Sequence, residues 1–429
     1  MNVKGKNVVI YGGGISGTSA YELVKEKGGK ALIYDDNNRP HTTSSTGVFL
    51  KADIIVLSPG VKSGNPYVLD ARLEGKTVVG EIELASSFCK AEQIAVTGTN
   101  GKTTTVMLID HILKYARIES HAVGNIGVAF SAICDRLEPT DVAVIEVSSF
   151  QLECAHNFSP DYAVLLNVTP DHLDRHGDFD KYVNAKANIF MHQCECDTVV
   201  YNDDDESIKA LVPDMKGRKI PFSISRPLPC GAYLSSGFVC YKGMPVVEIA
   251  DLDVKGKEIE NVLAAVAVTM DKGISRYTVS SALCSFDRPK YRRTKIATID
   301  GVNVYNDSKA TNVHSTISAT YAMEGNTILI LGGAKGAEDF DLLFSSVKNV
   351  IHVVVCGDNA YEIDKSASRF GFDCTTCDTL DQATKIGLAL AKDKGADNLL
   401  FSPASKSFDR YKNYEERGKA FDGVVKAIR

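Results

Sequence analysis

The sequence predicts an α/β protein of several domains with mostly parallel sheets. Three observations lead to this fold class. Two glycine-rich turns, one near the N-terminus and one around Gly98, each stand between an apolar strand and a helical stretch. Later strands, VAVIEVSS and YAVLLNVT, are near-continuous apolar runs rich in β-branched residues, as is typical of parallel strands covered on both faces. The chain of 429 residues is also too long for one ordinary hydrophobic core.

The first elements form a strand–helix–strand unit. NVVIYGGGISG is an apolar strand that enters a glycine turn, a helical stretch covers about residues 18–27, and ALIYDD is the second strand. Gly12, Gly14 and Gly17 have the spacing of a dinucleotide-binding turn, in which a phosphate approaches the backbone at a helix N-terminus. The residues alone therefore leave NAD or FAD open as ligands. A third strand, ADIIVLSPGV, ends at Gly60, at an edge where α/β proteins bind ligands.

The second glycine turn, AVTGTNGKTTT, predicts a phosphate-binding loop. A strand enters a tight turn at Gly98 and Gly101, and the helix that follows starts with Lys102 and Thr103. Backbone amides at a helix N-terminus bind phosphate, the lysine neutralises its charge, and the hydroxyl binds magnesium. Val96 stands where the common pattern has its first glycine, so the loop is shorter than usual. An ordinary left-handed turn before a helix is the structural alternative.

Candidate magnesium ligands follow two further strands. VAVIEVSS contains Glu146 at the strand end, and His172 lies in the turn after YAVLLNVT, within NVTPDHLDRHGDF. A buried unpaired carboxylate is costly, so a cation is expected nearby. Glu146, His172 and the Thr103 hydroxyl lie on neighbouring strand ends and together predict one Mg²⁺ site against nucleotide phosphates. A solvated glutamate at the rim of the sheet is the alternative.

Two other patterns in this region have competing explanations. His172 and His176 have the i,i+4 spacing of some zinc sites, but LDRHGD lacks a convincing helical pattern and zinc is not favoured. Lys186 follows Tyr182 by four residues in DKYVNAKANIF, and this pattern alone predicts an exposed helix lysine.

The later part of the chain predicts a mixed segment and then a third domain. Residues 211–257 have the pattern of short strands joined by turns, and a helix covers about residues 261–272. The strand pattern then starts again with IATIDGVNVYND, TILILGG, VIHVVVCG and NLLFSPAS, separated by helical stretches. We therefore expect three domains, at residues 1–88, 89–290 and 291–429.

Composition and charge exclude several classes of protein. The formal net charge is −6 and no basic stripe occurs, so no nucleic-acid partner is expected. No apolar run approaches the roughly 20 residues that cross a bilayer, and the first such run is too short for a signal peptide. We expect a cytoplasmic monomer without a membrane partner. The eleven cysteines, including Cys194-x-Cys196 and Cys374-x-x-Cys377, are expected to be ordinary free thiols.

Five motifs occur in order along the chain. They are TGTNGKTTT, EVSSFQLE, NVTPDHLDRH with YVNAKANIF, NDSKATN, and SPASKSFDRYKNYEERG. In this order they resemble the Mur ligase family of peptidoglycan synthesis, and the resemblance covers nearly the whole chain. The short phosphate loop is that family's own form. The resemblance implies a Rossmann-like UDP-binding domain, a central P-loop ATPase with a parallel sheet, and a Rossmann-like C-terminal domain that closes over both.

The resemblance also implies a reaction, namely ATP-dependent, ADP-forming addition of D-glutamate to UDP-N-acetylmuramoyl-L-alanine. ATP phosphorylates the substrate carboxylate to an acyl phosphate, the incoming amine attacks, and phosphate leaves from a tetrahedral intermediate. Lys102 and two Mg²⁺ ions would neutralise the charge of the transferred phosphoryl group. Lys186 matches the family's carbamylated lysine. The carbamate is an anion that serves the second Mg²⁺, and its formation requires a neutral amine.

The resemblance assigns residues to each implied site. The catalytic residues are Lys102, Glu146, His172, Lys186 and Arg292, and the metal ligands are Thr103, Glu146, His172 and Lys186. ATP contacts come from Gly98, Thr99, Asn100, Gly101, Lys102, Thr103, Thr104, Asn261, Arg292, Asp307 and Lys309. UDP-sugar contacts come from Gly14, Ser16, Asp35, Gly60 and Asn125, and amino-acid contacts from Thr311, Lys335, Ser407 and Tyr414. The N-terminal glycine turn is thereby reassigned from a dinucleotide to the UDP diphosphate.

Three departures from the family pattern concern the acceptor and the adenine. The lysine after Gly332-Gly333 is shifted by one place to Lys335, and SKSFD adds Lys406 beside the acceptor site. GKEIEN lacks the family's His-Asn pair and keeps only Asn261. Two alternatives therefore stay open, a Mur ligase with a different acceptor amino acid and a nucleotide-binding regulator that no longer ligates.

Overall fold

The structure is a computed structural model that describes residues 1–36, 41–252, 254, 256–287, 290–336 and 338–428. The fold is α/β, as predicted, and the described strands form three sheets. The chain divides into two compact units, Met1–Val254 with Glu258–Phe286, and Lys255–Lys257 with Asp287–Arg429. The first unit contains the first two sheets, and the second unit contains the third. The domain boundaries at residues 88 and 290 stay a prediction.

The N-terminal sheet is parallel throughout. Its part of the chain contains β1 (Asn7–Tyr11), α1 (Ile15–Glu26), β2 (Lys30–Tyr34), α2 (Val48–Lys51), β3 (Ile54–Leu57), α3 (Pro66–Leu73), β4 (Thr77–Gly80) and α4 (Glu81–Ser86). The strand order is β2-β1-β3-β4. The inner strands β1 and β3 are almost wholly buried, because their apolar side chains are covered on both faces.

The second sheet positions the candidate site. Its elements are β5 (Glu92–Thr97), α5 (Lys102–Tyr115), β6 (Ser120–Gly124), β7 (Val142–Glu146), α6 (Ser149–Leu152), β8 (Tyr162–Leu165), α7 (Leu173–His176), α8 (Phe179–Ala187), β9 (Thr198–Asn202), α9 (Glu206–Lys209), β10 (Arg218–Ser223), β11 (Ala232–Ser235), β12 (Phe238–Tyr241), β13 (Met244–Glu248), α10 (Glu258–Asp271) and α11 (Arg276–Cys284). Within the described residues the strand order is β13-β12-β11-β10-β9-β8-β5-β7-β6. Since β5 lies between β7 and β8 and all three run parallel, their carboxyl ends meet at one edge.

The second unit contains a third, mainly parallel sheet. Its elements are β14 (Thr294–Ile299), β15 (Val302–Asn306), α12 (Val313–Tyr321), β16 (Thr327–Leu331), α13 (Phe340–Ser346), β17 (Val350–Val355), α14 (Ala360–Arg369), β18 (Cys374–Thr376), α15 (Leu380–Asp393), β19 (Asn398–Phe401) and α16 (Tyr414–Ile428). The described strands lie in the order β14-β15-β19-β16-β17-β18, and only the β14–β15 pair is antiparallel. The predicted strand IATIDGVNVYND is thus a hairpin of two strands.

The N-terminal glycine turn is closed by close contacts of the backbone. Gly12 has a φ of 102°, in the left-handed region that favours glycine. A Cβ atom on Gly17 would lie 1.8 Å from the Gly12 carbonyl oxygen and 2.8 Å from the Ser58 hydroxyl. The Ser58 hydroxyl also donates to the Gly12 carbonyl oxygen at 2.9 Å, and Asp35 accepts from the Gly13 amide at 2.6 Å. Helix α1 therefore packs against the turn only because residue 17 has no side chain.

The structure bears on the expectations for the cysteines and for membrane-spanning segments. Cys194 and Cys196 form a disulfide, so the prediction of free thiols is wrong for this pair, whose Cα atoms lie 5.4 Å apart, within the range that a disulfide spans. Cys374 and Cys377 are free, as predicted. None of the helices in the described part of the chain combines the length and the apolar character that a membrane-spanning helix needs.

We predict that Gly17→Ala destabilises the protein by about 2–3 kcal/mol, because the new methyl group overlaps backbone that cannot move without opening the turn. The free energy of unfolding in urea measures this loss. Gly47→Ala is the matched control, since the nearest atom to its added Cβ is the Ser45 hydroxyl at 3.9 Å. Equal stabilities of the two variants would contradict the prediction.

Candidate active site

The phosphate loop between β5 and α5 is held from two sides. Gly101 precedes α5 with a φ of 88°, and a Cβ atom there would lie 2.1 Å from Asn261 Oδ1. The Asn100 amide donates to Asn167 Oδ1 at 2.9 Å, and the Thr99 amide donates to the Asn167 carbonyl oxygen at 2.8 Å. The predicted strand–loop–helix arrangement is therefore present, and the N-terminus of a 14-residue helix faces the loop. Such a helix end binds anions.

Two lysine amines converge on the carbonyl group of Gly98. Lys102 Nζ donates to this oxygen at 2.8 Å, and Lys186 Nζ donates to it at 2.9 Å. Lys186 is only 1% exposed, so the prediction of an exposed helix lysine from the local pattern is wrong. Burial, and secondly the charge of Lys102, lower the pKa of Lys186 well below its usual value. The site therefore favours a neutral amine at Lys186.

Tyr182 fixes the position of Lys186 within helix α8. Its hydroxyl shares a hydrogen bond of 3.0 Å with the Thr99 hydroxyl, and its ring centroid lies 4.7 Å from Lys186 Nζ. Burial raises the pKa of the Tyr182 hydroxyl, which keeps it protonated. The two side chains, four residues apart on one helix face, thus both point at the phosphate loop.

Glu146 ends β7 as predicted and is buried. Its Oε1 accepts a hydrogen bond of 2.9 Å from the side-chain amide of Asn125. Its Oε2 is buried and has no hydrogen-bond partner among the described residues. A buried carboxylate oxygen without a donor is costly unless a cation or another donor meets it. This oxygen therefore fits the predicted magnesium site.

His172 lies in the turn after β8, in the left-handed conformation with a φ of 55°. Its Nδ1 is 3.7 Å from an Asp171 carboxylate oxygen, and its ring centroid is 4.8 Å from that of Phe150. A short helix, α7, follows directly, although the sequence pattern did not predict one. The predicted ligand thus lies in the turn beside a carboxylate and an aromatic ring.

His176 does not join His172 in a zinc site. Its Nε2 lies 3.1 Å from the Ser149 hydroxyl and its Nδ1 lies 3.2 Å from Glu153, so both ring nitrogens have protein partners. Zinc needs a free ring nitrogen. Magnesium instead prefers oxygen ligands, and Glu146 Oε2 with the Thr103 hydroxyl would supply them at this edge of the sheet. The residues present therefore fit Mg²⁺ with a nucleotide.

A cavity of about 970 Å³ lies at the carboxyl edge of the N-terminal sheet. Four predicted UDP-sugar residues line it together, namely Gly14, Ser16, Asp35 and Gly60. The fifth, Asn125, is not among the residues that line this cavity, and its side-chain amide donates to Glu146 at the carboxyl end of β7. Glu153 and Arg175, from the second sheet's loops, complete the wall of this cavity. Its volume is in the range of small-molecule sites.

The predicted ATP residues of the second unit include a buried carboxyl group. Asp307 accepts from the Ser402 hydroxyl at 2.7 Å and from the Arg293 amide at 2.9 Å. Burial raises the pKa of Asp307 to about 6, although these hydrogen bonds and nearby arginines act in the opposite direction. Arg292 has a buried Nε without a hydrogen-bond partner in the described part of this unit.

The predicted acceptor residues of the second unit have different environments. Ser407 is buried, and Tyr414 lies with its ring centroid 5.0 Å from Lys309 Nζ. Lys335 Nζ forms an ion pair of 3.2 Å with Glu362, and both side chains are exposed. Thr311 is half-buried. The roles of all these residues toward ATP or an amino acid stay predictions.

Three residues that hold the site were not predicted from the sequence. Asn167 binds the phosphate loop, Phe150 packs on His172, and Arg175 binds the loop that follows β3. All three lie inside motifs that the sequence displays, EVSSFQLE and NVTPDHLDRH. The available signal was that an aromatic residue, Phe150, and a cation, Arg175, lie within these motifs. Local spacing could not identify their partners, because these partners are distant in the chain.

Comparisons with known proteins agree with this architecture. Residues 96–269 match the Mur ligase middle domain, and residues 292–405 match the Mur ligase, glutamate ligase domain. The chain is 35% identical over 451 residues to the UDP-N-acetylmuramoylalanine–D-glutamate ligase of Caldanaerobacter subterraneus subsp. tengcongensis, and all of both chains is covered.

Two solved structures have the same fold. The UDP-N-acetylmuramate-alanine ligase MurC of Thermotoga maritima is similar with a TM-score of 0.63 at 20% identity, covering 99% of this chain and 100% of that one. The MurF ligase of the same organism, in complex with ADP, is similar with a TM-score of 0.63 at 17% identity, covering 100% of this chain and 96% of that one. The fold and the strand–loop–helix site at the carboxyl edge of the second sheet define a P-loop type of nucleotide-binding domain. The chain belongs to the Mur ligase family.

We predict that ionisation of Asp307 lowers stability as the pH rises. The folded state holds this proton up to a pKa of about 6, whereas an unfolded aspartate releases it near the ordinary value of 3.8. Stability is therefore lost between these two values, by up to about 3 kcal/mol. Asp307→Asn removes this dependence, so its stability relative to the natural protein should increase from pH 5 to pH 7.5 in urea unfolding. The exposed Asp381→Asn is the control, and an Asp307→Asn difference that does not vary with pH would contradict the assignment.

Proposed function

We propose that the protein adds D-glutamate to UDP-N-acetylmuramoyl-L-alanine in an ATP-dependent, ADP-forming reaction of peptidoglycan precursor synthesis. One observation carries this proposal, the convergence of Lys102 and Lys186 on the Gly98 carbonyl oxygen beside the strand that ends at Glu146. A plain nucleotide-binding protein has no need of a second, fully buried amine at its phosphate loop. Similarity to the UDP-N-acetylmuramoylalanine–D-glutamate ligase of Caldanaerobacter subterraneus supports the choice of substrates.

The phosphate loop would bind and orient ATP. Its amides and the N-terminus of α5 would face the phosphates, and Lys102 would supply a positive charge close to them. Glu146, Thr103 and His172 would hold Mg²⁺, which neutralises charge on the transferred phosphoryl group when it is bound. The substrate carboxylate would accept this group, and the amine of the amino acid would then displace phosphate from the resulting acyl phosphate.

Lys186 would enter this chemistry as a carbamate. Its neutral amine adds to carbon dioxide and releases one proton, and the product is an N-carboxylate on the lysine. The lowered pKa of Lys186 supports this step, because only the uncharged amine is a nucleophile. An anion at this position would also relieve the repulsion between two amines on one carbonyl oxygen. A second Mg²⁺ and a cytoplasmic monomer belong to the same proposal.

A different acceptor amino acid is the second candidate. Lys335 is shifted by one place relative to the family pattern and is paired with Glu362 at 3.2 Å. Lys406 is the residue directly before Ser407, another predicted acceptor residue. A changed set of cations at the acceptor site changes which carboxylates are bound.

We predict that D-glutamate gives the largest rate of ADP release with UDP-N-acetylmuramoyl-L-alanine as the first substrate. A coupled ADP-release assay with a panel of D- and L-amino acids measures this preference. Release with another amino acid and none with D-glutamate would exclude the proposed acceptor and keep the ligase mechanism. No release with any member of the panel, despite bound ATP, would favour a regulator.

We predict that Lys186→Ala lowers turnover by at least about a hundredfold, since a charge that stabilises the phosphoryl group is lost. Acetate or formate should restore part of the activity, because a small carboxylate can replace the carbamate. Lys181→Ala is the control on the same helix, as Lys181 is exposed and pairs only with Asp178 among the described residues. Full turnover of Lys186→Ala would remove the carbamate from the mechanism.

A further inference from the structure

Arg175 joins two parts of the first unit that lie far apart in the chain. Its guanidinium donates to the Pro59 carbonyl oxygen at 2.8 Å and to the Val61 carbonyl oxygen at 3.0 Å. It also donates twice to the Glu153 carboxylate, at 3.0 Å and 3.4 Å. Pro59 and Val61 lie on the loop that forms one wall of the 970 Å³ cavity. A residue of the second sheet's loops therefore fixes the wall of a cavity on the first sheet.

Most hydrogen-bonding capacity of Arg175 is used inside the protein. A guanidinium has five N–H groups. Four of them donate to Pro59, Val61 and Glu153. Its planar face also lies over the Phe150 ring, with the central carbon 4.1 Å from the ring centroid. This cation is therefore arranged to hold protein groups rather than to bind an anionic ligand on its own.

The same residue is fixed to the turn of the metal-site histidine. The Arg175 amide donates to the His172 carbonyl oxygen at 3.0 Å. Phe150 packs between the two side chains, since its ring centroid lies 4.8 Å from that of His172. Both carboxylate oxygens of Glu153 accept from Arg175, and Oε1 also lies 3.2 Å from His176 Nδ1. The His172 turn and the cavity wall are thus connected through one side chain.

We propose that Arg175 is a positioning residue that keeps the sugar-nucleotide cavity and the His172 turn in a fixed relative position. This inference rests on the proposed function, because the cavity must bind the nucleotide sugar for its wall to matter. Holding the wall and the turn together places a substrate bound in the cavity in a constant position relative to the phosphate loop. Misplacement of reacting groups by about 1 Å can cost a hundredfold in rate.

The contacts of Arg175 with Glu153 and with the two carbonyl groups explain why an arginine is needed at this position. Truncation to alanine removes the arginine donors from the Glu153 carboxylate and from the Pro59 and Val61 carbonyl groups, and such losses weaken local structure. Lysine keeps the charge for Glu153 but cannot donate in several fixed directions at once. Arg175→Lys should therefore be intermediate between the natural protein and Arg175→Ala.

The test measures the binding of two ligands, one expected at the cavity and one expected at the phosphate loop. Calorimetry with UDP probes the cavity, and calorimetry with Mg²⁺ and the ATP analogue AMP-PNP probes the phosphate loop. For Arg175→Ala we expect the Kd of UDP to rise at least about tenfold and kcat to fall by a similar factor or more. The Kd of Mg²⁺·AMP-PNP should change by no more than about twofold, since the loop amides and Lys102 are untouched.

Arg218→Ala is the matched control, because Arg218 also binds a carboxylate through two nitrogens, Asp271 in this case, but at the opposite edge of the sheet. It should lower the melting temperature and leave both Kd values unchanged. If Arg175→Ala does not fold, Arg175→Lys decides the question by the same measurements.

Natural affinity for UDP in both Arg175 variants would overturn the inference. Parallel weakening of UDP and AMP-PNP would also overturn it, because it would indicate general distortion. Failure of the natural protein itself to bind UDP is a separate outcome that removes the proposed function and, with it, the inference.

Discussion

The site depends on one electrostatic constraint, the meeting of two amines at a single buried carbonyl group. Lys102 and Lys186 both donate to Gly98, and Lys186 has almost no exposed surface. Two ammonium groups at this distance from one oxygen repel each other in a medium that screens charge poorly. One amine must therefore be neutral, or an anion must lie between them. Glu146 has the opposite problem, because its buried Oε2 has no hydrogen-bond donor among the described residues. A metal bound with the nucleotide would supply a cation to this oxygen, and a carbamylated Lys186 would replace one of the two amines by an anion.

The sheet topology brings these groups together at one edge. Because β5 lies between β7 and β8, the phosphate loop stands between Glu146 and the His172 turn. The loop backbone at Gly101 lies so close to Asn261 that any Cβ atom on residue 101 would overlap the Asn261 side chain. This position therefore requires a glycine. Asn261 therefore acts on the loop itself, which gives it a role even though GKEIEN lacks the family's preceding pair. The order of strands and the glycine at this turn therefore position the phosphate loop between Glu146 and the His172 turn.

The fold and the strand-end residues were predictable, because apolar runs ending in glycine or polar residues mark both the strands and their carboxyl ends. The burial of Lys186 was not, since helix α8 carries exposed Lys181 on a neighbouring turn and only packing against the phosphate loop distinguishes the two lysines. Arg175 was missed for a related reason. Its partner Pro59 is separated from it by 116 residues, and no local spacing reports such a contact. The Cys194–Cys196 disulfide was not predictable either, because it depends on how the loop positions the two cysteines and not on the cysteine count.

The two lysines that depart from the family pattern, Lys335 and Lys406, lie on loops that are bonded to each other. The Ala334 amide donates to the Lys406 carbonyl oxygen at 2.8 Å, so the turn that carries Lys335 and the loop that carries Lys406 are directly bonded. Asn359 reinforces this junction, because it accepts from the Gly333 amide at 2.9 Å and donates to the Ser405 hydroxyl at 2.7 Å. The Lys335–Glu362 pair is exposed on both sides, and exposed pairs contribute only about 0–1 kcal/mol. In the proposed acceptor site, Lys335 would therefore leave Glu362 for an amino-acid carboxylate at little cost, and Lys406 would supply a second cation from the adjoining loop. On this proposal the shifted lysine keeps a cation on the turn that follows Gly333.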